Sequence, residues 1–194
     1  GISVSALSGA DFMSTSTSSQ TFTGDNADNT YIGGAGNDTF SGNAGSDTIY
    51  AHSGDDTINV NNKSGAYADV INGGSGTDGL VITYSGVSSI TDFSNIDYNS
   101  STSTLTFTDA NGGTISAQGM ETFTVGSTAY SFVDNNGYHS TSGNTRSDFT
   151  YAFIRSDGNE INFITPSSGS TQLNMTEAIV DFVPAGATWL DEAL

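Results

Sequence analysis

Six acidic or amide side chains recur in the first half of the chain at nearly constant spacing. Three near-copies of one nine-residue unit, GGAGNDTFS, GNAGSDTIY and AHSGDDTIN, share a glycine at the fourth place and an aspartate at the sixth. The sixth-place residues are separated by 9, 9, 9, 13 and 9 positions, so one unit carries a four-residue insertion around residues 63–67. These residues are Asn29, Asp38, Asp47, Asp56, Asp69 and Asp78.

The composition of the units indicates binding of a hard cation. Glycine permits tight turns with positive φ, which can point carbonyl oxygens inward. A carboxylate two residues after the last glycine then completes a ligand set made only of oxygen. Such a set suits Ca²⁺, which takes six to eight oxygen ligands, better than Mg²⁺, which demands a strict octahedron. The expected carbonyl ligands are those of Gly34, Gly36, Gly45, Gly54, Gly74 and Gly76.

A short strand after each turn must hold the acids in place. The tails TFS, TIY and TIN put one apolar residue between polar neighbours, so the middle side chain is expected to point inward. The inward residues are then Phe40, Ile49, Ile58, Ile71 and Leu80.

Turn and strand together make half a coil, so alternate units stack on the same side. The predicted cation sites are Asp38/Asp56, Asp56/Asp78, Asp47/Asp69 and, more weakly, Asn29/Asp47. This pairing predicts about three to four Ca²⁺ ions, and the chain is expected to fold when they bind.

The units resemble the RTX (repeats-in-toxin, haemolysin-type calcium-binding) repeat G-G-x-G-x-D-x-U-x, in which U is a large apolar residue. The matching residues are Gly33, Gly34, Gly36, Asp38 and Phe40; Gly42, Gly45, Asp47 and Ile49; Gly54, Asp56 and Ile58; and Gly73, Gly74, Gly76, Asp78 and Leu80. The resemblance implies a parallel β-roll that binds Ca²⁺ in its turns. It also implies a secreted bacterial protein, exported by a type I system that reads an uncleaved C-terminal signal. The units depart from the pattern at Asn29, Ala51 and His52.

The remainder of the chain has β-hairpin patterns and no long helical period. Asn-Gly at 111–112 and Asp-Gly at 157–158 each separate two apolar, alternating segments. We therefore predict an all-β chain, with a parallel β-roll or β-solenoid extended by hairpin units toward the C-terminus. The expected parts are an N-terminal arm or irregular first strand (1–22), the RTX roll (23–83), an irregular β continuation (84–133) and a C-terminal β module (134–194).

Composition excludes several functions. The 194 residues include 21 acids and 3 bases, a formal net charge of −18. Such a chain lacks the cations needed to bind nucleic acid or anionic membranes, and no stretch approaches the roughly 20 apolar residues of a membrane-spanning helix. Cysteine is absent. The sequence contains no nucleophile elbow, zinc-protease motif or phosphate-binding loop, so no enzymatic activity is expected.

The sequence thus predicts a secreted, calcium-binding structural protein, a building block of an extracellular layer, fibre, matrix or adhesin. Self-assembly is the expected partnership, with cell-surface polysaccharide as a further candidate. One alternative is an accessory secretion and folding module of a larger exported enzyme. Another is a solenoid that binds ice or polysaccharide, which the third-place residues Ala35, Ala44, Ser53 and Ser75 make less favourable than threonine would.

Overall fold

The computed structural model describes residues 3–5, 11–99, 101–134, 138–139, 151–158, 161–164 and 183–184. Within these residues the secondary structure is β throughout, apart from one 3-10 turn at Ile90–Asp92. The predicted all-β class and parallel roll are confirmed. The chain forms two units, residues 1–130 and 131–194. In the part of the chain that the structure describes, no helix has the length and apolarity to cross a membrane.

Short strands separated by turns build the first unit. The nine strands of its parallel roll are β1 (Ser3–Ser5), β2 (Asp11–Met13), β3 (Thr21–Thr23), β4 (Thr30–Ile32), β5 (Thr39–Ser41), β6 (Thr48–Tyr50), β7 (Thr57–Asn61), β8 (Ala68–Asn72) and β9 (Gly79–Thr83). The strands that follow are β10 (Asn95–Asn99), β11 (Thr104–Thr108), β12 (Thr114–Gln118), β13 (Thr122–Val125) and β14 (Thr128–Asp134), the last of which continues past residue 130 into the second unit.

Alternate strands lie side by side, as the half-coil argument requires. Strands β1, β3, β5, β7 and β9 form one parallel sheet, and β2, β4, β6 and β8 form the other. The register joins residues one full coil apart, for example Phe40 with Ile58 and Tyr31 with Ile49. Each coil contributes one strand to each sheet because two nine-residue units complete it.

The eighth-place side chains fill the space between the two sheets. Phe40, Ile49, Ile58, Ile71 and Leu80 are all buried, which confirms the predicted inward set. The core is aromatic toward the N-terminus, where the rings of Phe22 and Phe40 stack 4.8 Å apart. Strands β7 to β9 run for five residues, and their extra length brings Val60 and Ile82 into the same core.

The roll continues beyond both boundaries expected from the sequence. Strands β1 and β2 pair in parallel with β3 and β4, so residues 3–5 and 11–13 belong to the first coil, in keeping with the alternative of an irregular first strand. At the other end, β12 stacks on β8 and β13 stacks on β9. The predicted hairpin at residues 111–112 connects β11 to β12 and carries β10 on its far side.

The second unit contains the other predicted hairpin. Strands β16 (Tyr151–Arg155) and β17 (Ile161–Ile164) pair antiparallel, with Gly158 N donating to Arg155 O in the turn. A short pair, β15 (Tyr138–His139) with β18 (Val183–Pro184), is also antiparallel. The rest of the predicted C-terminal β module (134–194) lies mostly outside the described residues.

Candidate metal centre

The glycine turns bring the backbones of successive coils into close contact. Gly54 has φ +121°, and a Cβ placed on it would lie 2.5 Å from Gly36 O. Gly76 has φ +144°, and a Cβ there would collide with Gly54 O. Two reasons therefore require glycine at the fourth place of these units. The backbone has positive φ, and a carbonyl of the previous coil occupies the space that a Cβ would need.

Three predicted acids form a ladder on one side of the roll, here called the Asp56 stack: Asp38, Asp56 and Asp78. Asp38 N donates to Asp56 Oδ1 at 2.6 Å, and Asp56 N donates to Asp78 Oδ1 at 2.9 Å. Each carboxylate therefore accepts the sixth-place amide of the coil before it. All three side chains are buried.

Two residues that the sequence analysis did not assign extend this ladder. Gln20 N donates to Asp38 Oδ1 at 2.8 Å, and Asp78 N donates to Glu121 Oε2 at 2.7 Å. Both carried a usable signal, because Gln20 stands nine residues before Asn29 and Glu121 opens the tripeptide Glu-Thr-Phe, which follows the Asp-Thr-apolar pattern of the repeats.

The Asp56 stack keeps carboxylate oxygens free for a further ligand. Asp56 Oδ2 and Asp78 Oδ2 are buried and have no hydrogen-bond partner. An unpaired buried carboxylate oxygen is costly, so such atoms in a native fold require an explanation. Burial, with the neighbouring charges of Asp78 and Asp38, raises the pKa of Asp56 to about 6.

A divalent cation would provide a partner for the unpaired buried oxygens and would offset the repulsion between Asp56 and its neighbouring acids. Calcium accepts carboxylate and backbone carbonyl oxygens in flexible numbers. The turns of the Asp56 stack hold five of the six predicted carbonyl residues: Gly34, Gly36, Gly54, Gly74 and Gly76. The donor set of this stack therefore fits calcium, with Asp56 and Asp78 as its strongest pair. In Asp38, by contrast, Oδ2 already accepts from Gly34 N at 3.2 Å.

The opposite side of the roll, here called the Asp47 stack, comprises Asn29, Asp47 and Asp69. The same ladder is present, since Asn29 N donates to Asp47 Oδ1 at 3.1 Å and Asp47 N donates to Asp69 Oδ1 at 2.9 Å. The amide oxygen of Asn29 is already used, because it accepts from Asp25 N and from the Tyr31 hydroxyl.

A lysine from the four-residue insertion enters the Asp47 stack. Lys63 Nζ lies 2.8 Å from Asp47 Oδ2, 2.9 Å from Asp69 Oδ1 and 2.9 Å from Gly45 O. These three oxygens are among the atoms predicted to bind a calcium ion, so the Lys63 ammonium lies where the sequence predicted an ion for the Asp47/Asp69 pair. The repeat pattern predicted no role for Lys63, because the insertion that carries it interrupts the nine-residue period.

Among the described residues of the first unit, the other polar groups do not form a second metal centre. The hydroxyls of Tyr67 and Tyr84 lie 2.6 Å apart, and Tyr84 also reaches Asp109 Oδ2 at 3.3 Å. His52 is exposed with φ +79°, and its carbonyl accepts from Ser75 N. Across the described residues, no three His, Cys, Asp or Glu side chains converge as ligands. The stacks therefore depend on paired carboxylates with carbonyls.

Fold and site together define a calcium-binding β-roll. The family model of the RTX calcium-binding nonapeptide repeat (4 copies) matches residues 23–58 and 63–81. These residues are thus RTX repeats, and the resemblance seen in the sequence is confirmed. Searches of curated proteins and of solved structures find no match for the chain.

Proposed function

We propose that this chain is a secreted structural protein whose calcium-loaded roll assembles with further copies of itself. The observation that carries the proposal is the edge of the first coil, which pairs with no further strand among the described residues. β1 is the outermost strand of one parallel sheet and β2 is the outermost strand of the other. An unpaired strand edge is a template for pairing with another chain.

The edge of β2 has donors directed away from its own roll. Ser14 N donates to Ile32 O of the following coil. Because successive residues of a strand direct their N–H groups to opposite sides, Met13 N and Asp11 N point toward the open edge. Met13 is also 74% exposed and adjoins Ile32 and Tyr50 in register on the outer face of the sheet. Backbone donors and apolar surface therefore occur together at this end.

Calcium would favour contact between copies by reducing the net charge. The formal charge of −18 keeps copies apart, and each bound ion removes two negative charges. RTX repeats and the scarcity of basic residues support secretion. The acids of both stacks join successive coils through hydrogen bonds to backbone amides, which supports a structural role. We assign the chain no catalytic activity.

A matched pair of substitutions at the exposed edge tests the proposal. Met13→Pro removes one outward N–H while sparing the inward bonds of β2, and Met13→Ala removes the same side chain but keeps the N–H. In saturating Ca²⁺, light scattering and electron microscopy should show assemblies for the wild type and for Met13→Ala, and a strong reduction for Met13→Pro. Wild-type protein that stays monomeric at high concentration in Ca²⁺ would overturn the proposal in favour of an accessory module.

A further inference from the structure

The ammonium of Lys63 lies at the centre of the Asp47 stack. Its three oxygen partners are two carboxylates and one carbonyl, all within 2.9 Å. The lysine and aspartate side chains of both ion pairs are 1–2% exposed. Oxygen ligands of this kind, enclosed and jointly negative, are the ligands of a hard cation.

The Asp56 stack shows the same ladder without an amine. There the pair Asp56/Asp78 retains two buried carboxylate oxygens with no partner. In the Asp47 stack, Asp47 Oδ2 is the ion-pair partner of Lys63. The two pairs are each joined by the same amide-to-carboxylate hydrogen bond across 22 residues, so the lysine is the principal chemical difference between them.

Residues on both sides of Lys63 hold its side chain in the Asp47 stack. Asn62, immediately before the lysine, has φ +54° and donates from Nδ2 to Asn43 Oδ1 at 2.8 Å. Tyr67 closes the insertion with its ring centroid 5.2 Å from Lys63 Nζ, within the range of a cation–π contact. Anchors therefore exist on both sides of the ammonium, while residues 64–66 are exposed.

We propose that the Lys63 ammonium replaces one calcium ion of the roll, so that the Asp47/Asp69 junction is closed by a tethered cation and takes no Ca²⁺. A tethered cation is present at any calcium concentration, whereas a bound ion is present only above its dissociation constant. This inference rests on calcium binding by the repeats and does not depend on assembly with other copies.

Removal of the amine should convert the junction into a calcium site. Lys63→Ala vacates the position between Asp47 Oδ2 and Asp69 Oδ1 and leaves two carboxylates facing each other. Equilibrium dialysis with ⁴⁵Ca²⁺ should find one more bound ion per chain than in the wild type. The matched control is Ser64→Ala, an exposed neighbour in the same insertion, which should leave the number unchanged.

A double variant locates the additional ion. Lys63→Ala with Asp69→Asn should return the number of bound ions to the wild-type value, because the new site loses a charged ligand. If Lys63→Ala folds in Ca²⁺ and binds no additional ion, the proposal is overturned. Binding is read directly here, so failure of the assembly proposed above would not affect the result.

A second measurement needs no substitution and covers the case in which the variant does not fold. Lys63 is the only lysine of the chain, so its reaction with an amine-directed acylating reagent can be followed by mass spectrometry against the α-amino group. In wild-type protein the ammonium should react at least about tenfold more slowly than in denatured chain, because labelling requires local opening. Raising Ca²⁺ well above saturation should not increase the rate. Acceleration by Ca²⁺ would mean that calcium displaces the lysine, and would overturn the proposal.

Discussion

The two sides of the roll differ in how the charge of their buried aspartates is compensated. Both stack buried acids in register, and both use each carboxylate to accept an amide of the neighbouring coil. On the Asp56 side, buried oxygens remain without partners, so closure depends on an ion from solution. On the Asp47 side, a lysine of the chain supplies the positive charge. We therefore expect the same type of ladder to depend on calcium on the Asp56 side and on Lys63 on the Asp47 side.

The largest expected effect is that of removing calcium altogether. The Asp56 stack would then bury adjacent carboxylates without compensation, and the single lysine on the other side cannot neutralise them. We expect circular dichroism of calcium-free protein at pH 7 to lose most of the β signal, and excess Ca²⁺ to restore it. Equal spectra in both conditions would mean that strand packing alone sustains both stacks.

One substitution on each side should separate ion binding from stability. Asp47→Ala leaves the Lys63 ammonium buried with one carboxylate fewer, and the loss of a buried ion-pair partner costs about 3–5 kcal/mol. Its calcium content should equal that of the wild type. Asp56→Ala should lose bound calcium, because Asp56 lies in the middle of its stack.

Chemical denaturation in saturating Ca²⁺, combined with ion counting, would measure both quantities for each variant. A fall in the calcium content of folded Asp47→Ala equal to that of Asp56→Ala would contradict the contrast between the two sides.

Protonation of Asp56 in calcium-free protein should have a smaller effect on stability. The folded-state pKa of Asp56 is about 6, above the usual value of about 4 in an unfolded chain. Between these two pKa values the folded state therefore binds more protons than the unfolded state. Without calcium, the stability of the folded state falls as the pH rises from about 4 to about 6. A difference of this size corresponds to about 2–3 kcal/mol.

Calcium-free protein should accordingly show more β signal at pH 5 than at pH 7. The control is Asp56→Asn, which removes the titrating group and should reduce that difference. An unchanged pH dependence in Asp56→Asn would assign the effect to other acids. In saturating Ca²⁺ the sign should reverse, because protons then compete with the ion.

The sequence alone predicted the structural features that follow from the nine-residue period. A nine-residue period with glycine and aspartate at fixed places determines which strands stack, so the two sheets, the inward Phe40 and Ile58, and the composition of both acid stacks could be predicted. The ends of the roll could not, since Ser3–Ser5 and Asp11–Met13 form strands through pairing with later coils and have weak patterns of their own.

The role of Lys63 could not be predicted from the sequence for a different reason. Its partners are 6, 16 and 18 residues away, and the insertion that carries it breaks the period from which all other positions were inferred. Glu121 carried a local signal in its Glu-Thr-Phe tripeptide, but the repeat spacing does not extend to it, because the hydrogen bond that it accepts from Asp78 N spans 43 residues. Irregular loops and distant contacts are decided by tertiary packing, which periodicity does not encode.

Burial of the single lysine also affects how the protein withstands digestion. Proteases of the trypsin type cut after lysine or arginine, and in residues 1–145 the chain offers them only Lys63. That side chain is 1% exposed, with its ammonium fixed between two carboxylates. A protease must accommodate the basic side chain in its own pocket before cleavage, so the roll must open locally first. The residue that closes the Asp47 stack thus also withdraws the one trypsin-sensitive bond of the entire first unit from attack.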